Sequence, residues 1–436
     1  MQQTVESILD RAGTSHFQRR LLGIFGLVWA ADAMQVLAVG FTGASIAASF
    51  GVSVPEALQT GTLFFLGMLI GASLFGRLAD RFGRRRVLLI TVACDAIFGL
   101  LSVFAPNLAV LFLLRFLTGV AVGGTLPVDY AMMAEFLPAK NRGRWLVMLE
   151  GFWAIGTVVV ALAAWAASLY VTSDAWRWIF AVTALPALIG IWLRFWVPES
   201  PLYLERTGQT KELRSTLNLV LRTNGKPELS ETEIIQSRPA VAGAGIFSPV
   251  LRRRTVLILF VWFLVSISYY GIFTWLPARL ADQGFGYVRG YGFLVIVALA
   301  QIPGYALAAW GVEAIGRKPT LIAFLLLSTL GCALFLVAGD AFLTGAAILL
   351  MSFALLGTWG ALYAFTPELF PTASRGTGMG AAGSMARLGG LLAPSALAIV
   401  FAQDFSLAIA LFAGLLALGA VAAWFVDAET RKVALT

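Results

Sequence analysis

The chain is poor in charged residues, cysteine and histidine, and each shortage excludes a class of protein. Only 12% of its 436 residues are charged, whereas a soluble domain usually carries about 25%. The two cysteines, Cys94 and Cys332, lie in separate hydrophobic stretches, so no disulfide framework is predicted. His16 is the single histidine, which excludes a histidine-based metal site or catalytic triad within those stretches. The composition favours neither a soluble enzyme nor a metalloprotein.

Hydrophobic residues make up 59% of the chain, too many for the core of one soluble domain. A transmembrane helix needs about 20 consecutive apolar residues, and a segment in lipid must satisfy its own backbone hydrogen bonds, which favours helices. Twelve stretches of suitable length predict the spans 20–48, 59–79, 85–106, 108–134, 143–170, 176–197, 255–277, 288–311, 318–338, 341–364, 374–400 and 404–426. The opening segment, 1–20, is polar and lacks the apolar centre of a cleaved signal peptide.

Basic residues are concentrated on one side of these spans. The groups on that side are the amino terminus, 77–86, 140–144, 206–254, 317–318, Arg375 and 431–432. The opposite side keeps only Arg177, Arg279 and Arg289. Because positively charged loops stay in the cytoplasm, we expect a multi-pass protein of the inner or plasma membrane with both termini cytoplasmic. A net charge of +8 placed in this way does not indicate a nucleic-acid partner.

Two motifs recur along the chain, and both are displaced by the same number of residues. The stretch Glu135–Gly143 returns as Glu368–Gly376 with identical spacing, and Asp80–Arg85 returns as Glu313–Lys318. A shared displacement indicates two duplicated halves, the parallel repeat of one class of transporter. We predict an N-terminal six-helix bundle over 1–198, a cytoplasmic linker over 199–253 and a C-terminal six-helix bundle over 254–436.

At these motifs the chain resembles the major facilitator superfamily over nearly its whole length. The stretch Gly76–Arg86 is similar to the signature loop of that superfamily, and Pro198–Pro201 is similar to a motif of its sugar porters and organic ion transporters. Ala31–Met34, Phe152–Gly156 and Ala386–Pro394 resemble the clade of synaptic-vesicle-related proteins, bacterial niacin permeases and organic anion and cation transporters. The resemblance implies an all-α integral membrane fold of twelve transmembrane helices in two pseudo-symmetric bundles. It further implies secondary transport by alternating access.

Ionisable residues inside spans are costly in hydrocarbon and are therefore candidates for function. They are Asp32, Asp95, Arg115, Asp129, Glu150 and Arg387. We predict proton coupling by Asp32, Arg115 and Asp129, because the resemblance to proton-coupled sugar porters implies a pair of Asp32 with Arg115. A static bridge between two helices is the alternative for that pair. For Asp95 and Glu150 we favour structural bonds to neighbouring helices.

Arg387 is the main candidate for substrate binding, because a guanidinium binds a carboxylate through two parallel hydrogen bonds. Its alternative role is to neutralise Asp129 or Glu150. Flat rings with polar tips suit an aromatic or amphipathic solute. The further predicted substrate contacts are Gln35, Tyr269, Tyr270, Gln301, Trp359 and Tyr363.

Charged residues of the two repeated motifs predict two gating clusters at the cytoplasmic ends of the helices. The first is Asp80, Arg84, Glu135 and Arg142, and the second is Glu313, Arg317, Glu368 and Arg375. Ion pairs within each cluster would hold the cytoplasmic side shut and would release as it opens. The second cluster has fewer charges in its loop, so we expect the weaker latch there.

The sequence predicts no cofactor and no metal. Gly378–Gly383 matches the dinucleotide fingerprint but follows no strand and continues into an apolar helix. No phosphate-binding loop of the Walker type is present. We therefore predict a proton symporter for an organic anion or aromatic carboxylate, working as a monomer with protons, membrane lipid and a small solute as partners. Efflux by proton exchange, facilitated transport of organic cations or sugars, and a transport-silent receptor are the alternatives.

Overall fold

The computed structural model describes residues 2–138, 142–171, 173–185, 196–230, 232–235, 245–283, 290–396 and 405–430. Regular structure in these ranges is almost entirely helical, because apolar segments in lipid must close their own backbone hydrogen bonds. A short parallel bridge adds two strands, β1 (Gln2–Gln3) and β2 (Ile234–Ile235).

The N-terminal half and the linker contain eleven described helices. They are α1 (Val5–Ala12), α2 (His16–Phe50), α3 (Val54–Ala57), α4 (Gln59–Phe82), α5 (Arg84–Val103), α6 (Leu108–Glu135), α7 (Arg142–Glu150), α8 (Phe152–Tyr170), α9 (Ala175–Ala184), α10 (Pro201–Arg206) and α11 (Thr210–Thr223).

The C-terminal half continues the same architecture over the described residues. Its helices are α12 (Arg252–Gln283), α13 (Tyr291–Leu299), α14 (Gln301–Ala314), α15 (Arg317–Val337), α16 (Ala341–Phe365), a 3-10 turn (Thr366–Leu369), α17 (Thr372–Ala396) and α18 (Phe405–Trp424).

Ten helical stretches of the described residues are long and apolar enough to cross a membrane, with α7 and α8 forming one stretch and α13 and α14 another, and they coincide with ten of the predicted spans. The sixth predicted span, 176–197, begins as α9, and 186–195 lie outside the described residues. The eleventh, 374–400, is α17, and its end also lies outside them. Polar caps mark where spans begin, since the Asn107 side chain accepts from Val110 N at 3.0 Å and the Asp340 side chain accepts from Leu343 N at 2.8 Å.

The two halves pack through helices that face each other across the centre of the protein. Helix α2 lies against α12, α4 against α17, and α8 against α13. Gly40 of α2 permits one close approach, because a Cβ there would lie 2.8 Å from the carbonyl oxygen of Phe273 and 2.9 Å from that of Thr274. Small residues at such positions let transmembrane helices meet backbone to backbone.

Two spans are each composed of two helices joined by one residue that keeps helical backbone angles. Helix α7 ends at Glu150 and α8 begins at Phe152, and Gly151 between them has φ of −58° and ψ of −22°. In the other half Ala300, with φ of −63° and ψ of −17°, lies between α13 and α14. Each pair therefore continues as one span, and the two spans pack on each other, α7 against α14 and α8 against α13 and α14.

The amino-terminal arm and the linker pack together at the side of the bundle that carries the termini. Helix α1 lies on α11, and Arg11 Nη1 forms a salt bridge of 2.9 Å with Glu233 Oε1. Asn224 joins the arm to α2, since its side chain accepts from Phe17 N at 3.0 Å and donates to Gln18 Oε1 at 2.8 Å. The arm and linker thus form a cap attached to the N-terminal half.

Candidate functional site

A small cavity lies between the two halves, with a volume of about 20 Å³. Its lining residues are Trp29, Leu126, Glu150, Trp153, Tyr269, Tyr270, Tyr305, Trp359, Tyr363, Ala386 and Arg387. A polar cavity needs roughly 10–15 Å³ to hold one water molecule, whereas ligand pockets usually measure about 300–1,000 Å³. The structure therefore has an occluded site that must widen to admit a solute.

Most of the predicted substrate contacts lie on this cavity. Arg387, Tyr269, Tyr270, Trp359 and Tyr363 all line it. Gln35 and Gln301 are fully buried away from it. Both side-chain polar atoms of Gln301 lack a hydrogen-bond partner within the described chain. The geometry thus groups the predicted aromatic residues with Arg387 and separates the two glutamines from them.

Aromatic rings from both halves form the walls of the cavity. Trp153 Nε1 of the N-terminal half donates to the Tyr269 hydroxyl of the C-terminal half at 2.9 Å. Phe65 meets Tyr270 with ring centroids 4.6 Å apart, and Tyr363 lies 6.1 Å from Trp29 and 5.5 Å from Tyr130. Rings at these separations attract one another, so they close the cavity from more than one direction.

Arg387 is buried with 7% of its surface exposed, and its guanidinium has few hydrogen-bond partners among the described residues. Its Nη1 donates to the Gly383 carbonyl at 3.3 Å, and Nε has no hydrogen-bond partner among the described residues. No carboxylate of the described chain lies within salt-bridge distance of Arg387. Its predicted alternative role was to neutralise Asp129 or Glu150, and Arg387 forms no ion pair with either carboxylate in the described chain. A buried cation without a bonded anion is energetically costly. Arg387 therefore suits a site that binds an anionic ligand.

Glu150 lies on the same cavity, although we expected it to bond to neighbouring helices. It is 3% exposed, and its Oε2 has no hydrogen-bond partner within the described ranges. Its electrostatic neighbours are Arg387 and Tyr305. The sequence position of Glu150 gives its depth in the membrane but not the direction in which its side chain points, so the sequence did not identify it as a cavity residue.

Asp32 and Asp129 are buried behind the cavity wall rather than on it. Neither carboxylate oxygen of Asp129 has a hydrogen-bond partner in the described part of the chain, and the same holds for Oδ2 of Asp32. Asp32 lies within electrostatic reach of Asp95 and Asp129, and Asp129 lies within reach of Glu150. These acids form a row through the N-terminal half that ends at the cavity.

The pair of Asp32 with Arg115 that the resemblance implies is not present among the described contacts. Arg115 instead donates from Nη1 to Gln35 Oε1 and from Nη2 to the Gln35 carbonyl, both at 2.7 Å. Its guanidinium also lies over the rings of Phe64 and Phe180, each 4.6 Å from the centroid. Gln35 is one helical turn after Asp32. Its side-chain amide occupies the position beside Arg115 that the Asp32 carboxylate would need for the predicted pair. Arg115 keeps Asp95 as its electrostatic neighbour.

The first predicted gating cluster is held by Arg84, whose Nη2 lies 2.8 Å from Glu135 Oε1. Two residues missed by sequence reasoning complete it. Ser200 donates its hydroxyl to Glu135, and Glu199 accepts from Arg84 N at 3.1 Å. The side chains of Asp80 and Arg142 lie outside the described residues.

The second cluster repeats this geometry in the C-terminal half. Arg317 Nε donates to Glu368 Oε2 at 3.0 Å and Arg317 Nη2 lies 3.1 Å from Glu313 Oε1. Thr430 bonds to Glu368 as Ser200 does to Glu135, and Glu429 accepts from Arg317 N at 3.1 Å as Glu199 does from Arg84 N. The side chain of Arg375 lies outside the described residues.

Gly83 and Gly316 are the matched glycines of the two clusters, and both have a left-handed backbone, with φ of 100° and 119°. A side chain at Gly83 would also meet the Glu199 carboxylate, and one at Gly316 would approach Glu429 to about 3 Å. The short Glu-Ser and Glu-Thr stretches after each half were the available signal for Glu199 and Glu429.

Comparison with known proteins agrees with this architecture. The family model described as Major Facilitator Superfamily matches residues 23–394 and 291–436. The chain is 34% identical to the putative niacin/nicotinamide transporter NiaP of Bacillus subtilis over 96% of this chain and 98% of that protein. It is 35% identical to the niacin transporter NiaP of Acinetobacter baylyi, covering 89% of this chain and 88% of that one. It is 32% identical to the synaptic vesicle 2-related protein of Xenopus laevis, covering 98% and 81%.

Among solved structures, the proton:xylose symporter XylE bound to 6-bromo-6-deoxy-D-glucose superposes with a TM-score of 0.77. It is 18% identical and covers 95% of this chain and 97% of that one. Its likeness supports the fold. The predicted all-α membrane architecture and the resemblance to the niacin permease and synaptic-vesicle-related clade are confirmed. The chain belongs to the major facilitator superfamily, and its relatives in that family include membrane transporters of small solutes, not enzymes.

Proposed function

We propose that this protein takes up a small aromatic monocarboxylate of the nicotinate type together with a proton. The observation that carries the proposal is Arg387, a buried guanidinium without a bonded carboxylate in the described chain, on a cavity walled by aromatic rings. A carboxylate satisfies such a cation through two parallel hydrogen bonds. The names of the two niacin transporters among the relatives support the same substrate class.

The rest of the cavity suits an aromatic acid. Trp29, Trp153, Trp359 and the tyrosines offer flat apolar faces, each with one polar tip, which suit a planar ring that carries a polar substituent. Arg387 would attract the carboxylate of such a solute.

Alternating access would open the occluded site by moving one six-helix half against the other. The spans that contain Gly151 and Ala300 pack on each other across the boundary between the halves. Movement of one half against the other would separate the rings of the N-terminal half from Tyr269, Tyr270 and Tyr363. The charge clusters at Glu135 and Glu368 would release on the side of the termini, which we place in the cytoplasm.

Proton coupling is supported by the charges buried within the bundle. Asp32, Asp95, Asp129 and Glu150 outnumber Arg115 and Arg387, so some of these acids must be protonated to avoid uncompensated buried charge. Chains of buried acids conduct protons in transporters. We assign proton conduction to Asp32 and Asp129, and Arg115 balances Asp95 at the far end of the row.

The test is uptake of radiolabelled nicotinate into liposomes that contain the purified protein, with nicotinamide as a neutral analogue of the same shape. We expect nicotinate to accumulate when the outside is more acidic, above the level in protein-free liposomes, and nicotinamide not to accumulate. Equal uptake of both compounds would contradict the role of Arg387. Accumulation driven by an opposite gradient would identify an exchanger, and binding without flux would identify a receptor.

A further inference from the structure

We propose that Glu150 is the residue that takes up the coupled proton when the substrate binds, so that substrate carboxylate and proton load into the same cavity. The inference rests on the proposed carboxylate substrate and names the group that compensates for the negative charge of that substrate. Glu150 belongs to the N-terminal half and Arg387 to the C-terminal half. Their side chains line one small cavity.

Charge balance in the cavity leads to this assignment. Among the residues that line it, Glu150 is the single acid and Arg387 the single base, so the empty site is neutral when both are ionised. A substrate carboxylate bound to Arg387 adds one negative charge. An uncompensated buried charge is strongly unfavourable, and a proton added to a carboxylate oxygen of Glu150 restores neutrality.

The other groups that face Glu150 do not supply this compensation. Arg387 and the hydroxyl of Tyr305 lie nearest, from α17 and α14. Further phenols and one more acid face it from α6, α12 and α16: Asp129, Tyr130, Tyr269, Tyr270 and Tyr363. Arg387 is thus the one cation near Glu150 among the described residues, and an anionic substrate would compete with Glu150 for it.

Asp32 and Asp129 are less suited to respond directly to the substrate. Neither lines the cavity, and Asp129 lies behind Glu150 in the row of acids. They are placed to pass a proton to Glu150. Gln35 cannot take part because its amide does not titrate, and it occupies Arg115 through two hydrogen bonds of 2.7 Å.

The packing of α7 on the opposite half couples protonation of Glu150 to movement of the halves. Glu150 is the last residue of α7, which packs on α14 and α16 of the opposite half. When the halves move, the separation of Glu150 from Arg387 changes. Release of substrate on the cytoplasmic side would restore Arg387 as the counter-charge of Glu150, whose proton then leaves to water.

The experiment compares wild type, E150Q and the surface control E56Q, whose side chain is exposed. Two measurements are made for each: the affinity for nicotinate by intrinsic tryptophan fluorescence at several pH values, and uptake into liposomes. If one proton binds with each substrate, the wild-type affinity falls by up to about tenfold per pH unit as the pH rises. We expect E150Q to bind nicotinate with little pH dependence, to retain exchange of internal for external nicotinate, and to lose accumulation driven by a proton gradient.

A full pH dependence of binding in E150Q, or accumulation driven by protons in that variant, would overturn the inference and leave the proposed substrate intact. Failure of the wild type to bind nicotinate would overturn the proposed function and the inference with it. If E150Q is inactive in both uptake assays, the fluorescence titration decides. E150D keeps the carboxylate and is expected to restore the pH dependence, and its failure to do so while it binds nicotinate would also count against the inference.

Discussion

At the scale of single residues, the site depends on buried charges whose partners are incomplete. Arg387 has a backbone carbonyl at 3.3 Å and no salt bridge within the described chain. Arg115 is equally buried but is held by Gln35 at 2.7 Å. The two arginines of the membrane interior therefore have different roles. Arg115 fixes α2 against α6, and Arg387 remains available to a ligand.

Replacing Arg387 by lysine should weaken nicotinate binding while the charge is kept. Lysine cannot form the planar two-bond contact, so the expected loss is about 1.5–3 kcal/mol, the contribution of one charge-assisted hydrogen bond. The measurement is nicotinate affinity by fluorescence titration. R222K, at an exposed position of the linker helix, is the matched control. Unchanged affinity in R387K would remove the bidentate contact from the proposal.

Replacing Asp32 by asparagine should abolish proton-driven accumulation but leave downhill exchange. The substitution breaks the row of acids between Asp95 and Asp129 without touching the cavity, so pH-dependent binding should persist, unlike in E150Q. Uptake with and without a proton gradient measures the effect, with the exposed D10N as control. Wild-type accumulation in D32N would exclude Asp32 from the mechanism.

At the scale of helices and segments, the amino-terminal arm is held to the linker by apolar and polar contacts. Helix α1 packs on α11 with Val5, Ile8, Leu9 and Ala12 buried, and Arg11 and Gln3 are both bonded to Glu233. The Arg11 guanidinium, with Ser230 N, holds the pKa of the Glu233 carboxyl below its ordinary value. A group with a lowered pKa in the folded state stabilises the fold above its ordinary pKa, and the contribution is lost as the pH falls through the lowered value.

Acidification should therefore loosen the arm from the linker. The expected result is faster cleavage of the linker near Glu233 by an acid-tolerant protease as the pH falls through the acidic range, with the bundle intact. R11Q should show fast cleavage already at neutral pH and little further change, since the ion pair is missing at every pH. Equal protection of R11Q and wild type at neutral pH would contradict this role of the arm.

At the scale of the whole molecule, transport requires that contacts between the halves break and form again. Gly40 marks one such contact in the part of α2 remote from the termini, against Phe273 and Thr274 of α12. Nearer the termini, Tyr363 of the C-terminal half meets Tyr130 of the N-terminal half with ring centroids 5.5 Å apart. The charge clusters around Glu135 and Glu368 each lie within one half. The cavity of about 20 Å³ between the halves is too small to hold a solute in this conformation.

Replacing Gly40 by alanine should favour the conformation open on the side opposite the termini. The added Cβ cannot fit beside two carbonyl oxygens, and overpacking of this kind costs about 1–3 kcal/mol. Labelling of a cysteine introduced at Tyr270 by an impermeant reagent measures the opening from that side. G414A, where an added Cβ meets nothing within 4 Å, is the control. Labelling equal to that of the control would contradict this reading of Gly40.

The sequence by itself determined the class of the protein, its two related halves and five of the eleven cavity residues. Long apolar runs favour helices in lipid, and a motif repeated at one displacement can be recognised without knowledge of the fold. Arg387, Tyr269, Tyr270, Trp359 and Tyr363 could be predicted because charged and aromatic residues within spans are rare enough to stand out.

Only the tertiary structure decided which acids and bases meet. Hydropathy gives the depth of a residue in the membrane, but the rotation of each helix about its axis depends on packing with its neighbours. That rotation turned Glu150 into the cavity and placed Gln35 on Arg115 in the position we expected for Asp32. The path of the non-helical segments after each half brought Glu199 and Glu429 to the helix starts beside Gly83 and Gly316.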